Sequence, residues 1–142
     1  MQWLKAKPKE IKRTMKFMFI VKATKDSEAG RPFNPQLMAE IQKRAEEAFK
    51  SGTLIANGGL LPSSRGSRIN VSKGKVTVTD GPFAEAKELV GGFAIFELPS
   101  KEEAIKSGTG YMQLHADILG SSYEGELEIR PMMDPADFGA KH

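Results

Sequence analysis

A β-branched run that is typical of a strand ends abruptly at Asp80, Gly81 and Pro82, within residues 77–83. Gly81 can adopt backbone angles that are closed to other residues, Pro82 fixes its own φ, and Phe83 adds apolar mass that can pin the turn against a core. The pattern predicts a rigid corner that carries one carboxylate. Asp80 could act as a general base or hold a polar ligand, or it could simply accept hydrogen bonds from backbone N–H groups of the turn.

The size and residue content of the chain exclude several classes of site. At 142 residues it fits one domain, which can bury a core without disulfides or metal. The absence of cysteine excludes thiol catalysis, Cys-ligated zinc and iron–sulfur clusters, and agrees with a reducing cytoplasm. The two histidines are His115 and His142, and no cluster of His, Asp and Glu has ligand spacing. We therefore expect neither a metal nor a cofactor.

The net charge of +3 is concentrated at the N-terminus. Residues 1–14 hold five basic residues against one acidic residue, a net of +4, which leaves −1 for the other 128 residues. We predict that residues 1–14 form a disordered basic extension and that residues 15–142 form a single domain. Because that domain is nearly neutral, no nucleic-acid partner is expected. Without a signal-peptide core or a run of about 18 apolar residues, we expect no membrane partner and a cytoplasmic location.

Hydrophobic periodicity and turn signals predict a β-α-β-(hairpin)-β-α-β order. The apolar-rich run 16–22 is expected to be a central strand, residues 26–35 a loop, and residues 35–51 a helix with Asn34 as N-cap. Strands are also predicted at 53–61, with a bulge at 57–59, and at 91–98 and 124–133. A hairpin is predicted from 67–72 and 75–79, in which Ile69 and Val71 face one way.

A second helix is predicted to begin at the capping box of Ser100 and Glu103. Its glycines at 108 and 110 each cost roughly 1 kcal/mol, so a kink or a break is expected there. If the helix resumes, Tyr111, His115 and Ile118 share one face. This order of elements matches a split βαβ arrangement, in which the helices cover one face of the sheet. A second copy is the obvious cover for the other face, so a homodimer is expected.

Residues 79–89 with 91–93 resemble the signature of the YCII-related family, the DGPF-type branch of small dimeric proteins. The similarity continues in segments 15–22, 58–62, 114–115, 126–131 and 137–139. The resemblance implies an α+β fold with a ferredoxin-like βαββαβ sheet, here with an inserted hairpin, that pairs as a dimeric α/β barrel. It implies little about activity, because most members have no assigned reaction.

The candidate catalytic pair is Asp80 and His115. Asp80 is part of the family's motif, and His115 is the only histidine apart from the terminal His142. Histidine is the one side chain whose unperturbed pKa lies near neutrality. A lone histidine on a helix is also commonly structural. Other residues could complete a small-molecule site, the basic ones by binding an anion and the others by walling a pocket. They are Arg65, Arg68, Lys87, Gly81, Pro82, Phe83 and Tyr111.

Two functions compete at this stage. The first is a cofactor-free enzyme in which Asp80 and His115 exchange protons on a small polar or aromatic metabolite. The second is a dimeric module that binds a ligand or a regulatory partner without catalysis. Some YCII-related proteins pair an acid with a histidine that follows the first strand, but residues 22–35 contain no histidine. That mechanism cannot be transferred directly.

Overall fold

The computed structural model describes residues 13–139, except for the side chain of Lys87. The predicted disorder of the basic extension, for residues 1–12, therefore lies outside the described residues, as does His142. The predicted order of strands and helices is confirmed. The elements are β1 (Met15–Lys22), α1 (Lys25–Glu28), α2 (Pro35–Lys50), β2 (Leu54–Gly59), β3 (Ser67–Ser72), β4 (Lys75–Asp80), β5 (Val90–Leu98), α3 (Lys101–Leu119) and β6 (Leu127–Pro131). Single 3-10 turns lie at Ser63–Arg65, Ala86–Glu88 and Pro135–Phe138.

Four strands form one antiparallel sheet in the order β2-β5-β1-β6, so β1 is central as predicted. Its helix-covered face carries Phe17 and Phe19, which are 1% and 3% exposed and pack with Ala104 of α3. The helices α2 and α3 also contact each other, so both lie on this side. The hydrophobic core is therefore made within a single copy of the chain. Together these elements define an α+β architecture.

The predicted break in the second helix is wrong, because α3 runs unbroken from Lys101 to Leu119. A Cβ atom at Gly108 would lie 2.8 Å from Cδ1 of Ile129 and 3.0 Å from Cδ2 of Leu127. The glycine therefore lets the helix approach β6 closely, and the packing offsets its poor helix propensity. The expected N-cap is present, since the side chain of Ser100 accepts a hydrogen bond from the backbone N–H of Glu103 at 3.2 Å.

Three further expectations need correction. The segment 26–35 is not all loop, because α1 forms where Thr24 and Ser27 cap each other's backbone N–H groups. In β2 the register shifts between Leu54 and Ala56, not at residues 57–59. Gly58 stays in register opposite Phe93. The last strand, at five residues, is also shorter than predicted.

The face of the sheet opposite the helices carries Met18 and Ile20 from β1, paired with Ile95 and Phe93 from β5. These four side chains are partly buried, and neither α2 nor α3 lies over them. We call this surface the open sheet face. Its strip of apolar side chains is a surface that a soluble domain ordinarily covers.

Strands β3 and β4 form a separate two-stranded sheet, which we call the arm (residues 67–80). Its turn uses Lys73 at φ +50° and Gly74 at φ +77°, the left-handed pair that matches the twist of a tight hairpin. The register confirms that Ile69 and Val71 share one face. Their cross-strand partners Val78 and Val76 lie on the same face. Arg68 and Asn70 lie on the other face.

Candidate functional site

The corner of residues 80–83 follows β4 directly. A Cβ atom at Gly81 would lie 1.7 Å from the carbonyl oxygen of Ser63, so the two backbones meet at a distance that only glycine allows. The backbone N–H of Gly81 donates to the carbonyl oxygen of Gly66 at 2.9 Å, and the peptide bond to Pro82 is cis. The corner is thus held against the 3-10 turn at Ser63–Arg65.

Ser63 connects this corner to α1. Its hydroxyl donates to one carboxylate oxygen of Glu28, and its backbone N–H donates to the other at 2.8 Å. The same hydroxyl accepts a hydrogen bond from the backbone N–H of Phe83 at 3.0 Å. Glu28 therefore supports the corner through Ser63. Sequence reasoning missed Glu28, because it lies 35 positions before Ser63 and no local pattern links the two.

Asp80 is exposed and accepts a hydrogen bond from the hydroxyl of Ser67 at 2.7 Å, across the base of the arm. This contact ties β3 to β4 and gives the carboxylate a structural role. The donor is a side chain, not the backbone N–H group that the turn alone suggested. Its exposure leaves the carboxylate accessible from solvent.

Arg68 and Phe83, both candidate ligand-binding residues, are in contact. The guanidinium carbon lies 3.8 Å from the centroid of the phenyl ring, a cation–π arrangement. Stacking uses the flat face of the guanidinium, so its N–H edge stays free to bind an anion. Arg65 is exposed in its 3-10 turn, and Pro82 is exposed at the corner. The side chain of Lys87 lies outside the described part of the chain.

His115 lies in a second place, the aromatic cluster of Tyr111, His115 and Tyr123. The imidazole is 6% exposed, and its centroid lies 4.6 Å from that of Tyr111 and 5.5 Å from that of Tyr123. Nδ1 lies 2.8 Å from the carbonyl oxygen of Tyr111. Because a carbonyl can only accept, Nδ1 carries a proton in this contact, which leaves Nε2 as the other ring nitrogen.

The two tyrosines of this cluster favour their neutral form. Burial raises the pKa of the Tyr111 hydroxyl above its ordinary value of 10.0, and the charge of Tyr123 adds to the effect. Burial also raises the pKa of Tyr123. Both phenols are therefore hydrogen-bond donors at neutral pH. Tyr111 lies beside His115, but a small-molecule pocket walled by Tyr111 stays a prediction.

The corner and the aromatic cluster are separate groups of side chains. Within residues 13–139, no hydrogen bond or ion pair joins Asp80 to His115. The structure brings Arg68 to Phe83 and Tyr111 to His115, but not the acid to the base. Proton exchange between Asp80 and His115 stays a prediction.

A further site lies on the open sheet face and was not predicted. A groove of about 260 Å³, largely open to solvent, is lined by Met18, Ile20, Arg130, Pro131, Met132 and Met133. Beside it, Nζ of Lys22 lies 3.2 Å from one oxygen of Glu128, and Nε of Arg130 lies 3.8 Å from the other. Two cations thus share one carboxylate, which leaves a surplus positive charge. In β6, Glu128 and Arg130 alternate with Leu127 and Ile129, which pack on the core.

The described part of the chain has neither a metal-binding cluster nor a membrane-spanning helix. Residues 13–139 contain no group of three or more His, Cys, Asp or Glu side chains placed to hold a metal ion. In the same part of the chain, none of the helices combines the length and the apolar character needed to cross a membrane.

Comparison with known proteins identifies the class. The family model of the YCII-related domain matches residues 15–117, which is most of the chain. The chain therefore belongs to the YCII-related family, and the resemblance drawn from its motif is confirmed. It is also 28% identical over 95 residues to the uncharacterized protein R00369 of Rhizobium meliloti (strain 1021). The aligned segment covers 67% of this chain and 69% of that protein. Because that relative is itself uncharacterized, it indicates no activity for this chain.

Proposed function

We propose that this YCII-related chain is a homodimeric small-molecule-binding protein whose ligand site lies on the open sheet face. One observation carries the proposal: a strip of partly buried apolar side chains, with a groove of about 260 Å³, lies next to a row of two cations that share one carboxylate. The ligand is then a compact apolar molecule that carries an anionic group. This is the non-catalytic alternative that the sequence left open.

The argument for a second copy rests on the two layers of the fold. The strand order β2-β5-β1-β6, with helices on one side, supports the ferredoxin-like split βαβ sheet expected from the sequence. Such a sheet needs cover on both faces, and each apolar side chain that becomes fully buried contributes about 1.5–3 kcal/mol. A second copy placed over Met18, Ile20, Phe93 and Ile95 would bury them, as in the dimeric α/β barrel that the family resemblance implies.

The chemistry of the ligand follows from the lining of the groove. Met18, Met132 and Met133 supply polarizable, adaptable walls that suit an aromatic or alkyl body. The guanidinium of Arg130 is only loosely held by Glu128 at 3.8 Å, so its N–H groups are free to pair with a carboxylate or phosphate. A groove of about 260 Å³ is slightly below the usual range for drug-sized ligands, which favours a compact molecule.

A cofactor-free enzyme is the second candidate, because a hydrogen bond to the Tyr111 carbonyl fixes the orientation of the His115 ring. Its Nδ1 proton is fixed on the carbonyl of Tyr111, which leaves Nε2 as a positioned base beside a neutral phenol. General acid–base catalysis of this kind supplies about 10²- to 10⁴-fold in rate. Asp80 would take part only if a ligand or a second copy bridges it to the aromatic cluster. The cytoplasmic location expected from the sequence also stays a prediction.

Calorimetric titration with benzoate and with its neutral isostere benzamide tests the binding proposal. We expect benzoate to bind about tenfold or more tightly than benzamide, since only the carboxylate pairs with Arg130. Arg130→Gln should remove that preference. Lys43→Gln, an exposed charge deletion on α2, should keep it. Equal affinity for the two compounds, or an unchanged preference in Arg130→Gln, would overturn the proposed site.

A further inference from the structure

The arm presents an uncovered apolar face. Ile69, Val71, Val76 and Val78 lie side by side on it, and each is 65–72% exposed. All four are β-branched, the type of residue that packs well between pleated sheets. The opposite face carries Arg68, Asn70, Thr77 and Thr79 and is polar. The arm is therefore amphipathic, although nothing in the described part of its own copy lies against the apolar side.

The body of the domain gives the arm little support. The strands β3 and β4 pair with each other, and the contacts of Ser67 with Asp80 and of Gly66 with Gly81 join the two strands at the base. Beyond the base, Arg68 stacks on Phe83 of the corner. An isolated two-stranded hairpin is at best marginally stable in water, and both of its edges are open for pairing. A contiguous exposed apolar patch of this kind marks an interaction surface.

We propose that the apolar face of the arm packs against the same face of the arm of a second copy, antiparallel across a two-fold axis. Such an isologous contact needs only a self-complementary patch, and a row of four β-branched side chains meets that requirement. The two arms would stack as a small sandwich with a spacing of about 10 Å between sheets, which leaves their polar faces in solvent.

The charges at the two ends of the arm favour a second copy as the occupant. Asp80 continues the alternation of Val76 and Val78, so its carboxylate lies on the apolar face, at the base. Lys73 lies in the turn at the tip. Within one copy these two residues are separated by the length of the strand, roughly 20 Å, and cannot pair. In an antiparallel stack, the tip of each arm meets the base of the other, so Lys73 of one copy comes next to Asp80 of the other.

The arm contact is separate from the proposed ligand site. It rests on the homodimer proposed above and adds a second contact to that dimer. Four side chains per arm make a smaller interface than the roughly 800 Å² per partner of a standard stable complex. The arms would therefore strengthen a dimer that is also held by the open sheet face. The contact gives the Asp80 carboxylate a role in recognition between copies.

Sedimentation equilibrium of Val78→Lys against Thr77→Lys tests the inference. Both variants place the same charge on neighbouring exposed positions of β4, one on the apolar face and one on the polar face. We expect Val78→Lys to raise the dimer dissociation constant about tenfold or more, and Thr77→Lys to change it by less than about twofold. Circular dichroism checks that both remain folded. Equal effects of the two variants would overturn the arm contact.

A charge exchange gives a second, independent readout. Lys73→Glu and Asp80→Lys should each weaken the dimer, and the double variant Lys73→Glu/Asp80→Lys should restore much of the loss, since opposite charges meet again between copies. No restoration would contradict the antiparallel arrangement. A wild-type chain that sediments as a monomer would overturn this inference together with the homodimer. A dimer that is indifferent to Val78→Lys would remove the arm contact alone.

Discussion

The two faces of β1 have different surroundings. Phe17 and Phe19 are almost completely buried under α3, whereas Met18 and Ile20, one residue away, face a partly open surface without a helix above it. Both pairs are apolar, so the alternation alone does not distinguish them. The helix-covered face is completed by the chain's own residues. The open sheet face is not, and we infer that a second copy and a ligand complete it.

The largest expected difference between the faces is in stability. Phe19→Ala removes a ring that packs 4.7 Å from the ring of Phe96, between centroids. It should lower the free energy of unfolding by about 3–5 kcal/mol, through lost burial and a residual cavity. In separated copies, below the dimer dissociation constant, Ile20→Ala should cost less than about 2 kcal/mol, because within one copy its side chain is only partly buried. Urea unfolding at one fixed protein concentration measures both. Equal losses would contradict the division into a closed face and an open face.

The helix-covered face can be tested further with two glycines of α3. Gly108→Ala would push a methyl group against Ile129 and should destabilise the protein by about 1–3 kcal/mol, despite alanine's better helix propensity. Gly110→Ala meets nothing within 4 Å and should stabilise it by up to about 1 kcal/mol. Thermal unfolding of the two variants gives the signs. If Gly108→Ala were also stabilising, the close packing of α3 on β6 would be wrong.

A smaller effect is expected at alkaline pH. The pKa of Tyr111 is raised by burial, so the folded state keeps its proton at a pH where the unfolded chain has lost it. The stabilising contribution is complete below about pH 10, the pKa of the unfolded chain, and is lost as the pH rises through the folded pKa. Tyr111→Phe should therefore lose less stability than the wild type between pH 9 and pH 11. Parallel pH profiles of the two proteins would refute this role of Tyr111.

Local signals in the sequence explain the elements that were predicted well. The pair Asn34 and Pro35 begins α2, and Lys73 with Gly74 forms the turn of the arm, because cap and turn chemistry is decided by adjacent residues. The continuity of α3 could not be predicted in this way. It depends on Gly108 meeting β6, a tertiary contact that overrides helix propensity.

The candidate site was predictable only in part, for the same reason. The corner after Asp80 follows from its glycine and proline, but its support by Glu28 through Ser63 spans 35 positions. The row of Lys22, Glu128 and Arg130 exists only because β1 and β6 are neighbours in the sheet. Sequence reasoning indicated which residue types could bind a ligand. Strand pairing decides which of them come together.

The most direct test of the open sheet face is the dimer dissociation constant of Met18→Lys, with Met38→Lys as its matched control. Met18 lies on the open sheet face, and Met38 is 41% exposed on α2. We predict that Met18→Lys raises the dissociation constant roughly 100-fold, because a charge is buried at the centre of the interface, and that Met38→Lys leaves it unchanged. If both variants dimerise like the wild type, the open sheet face is not the surface that a second copy covers.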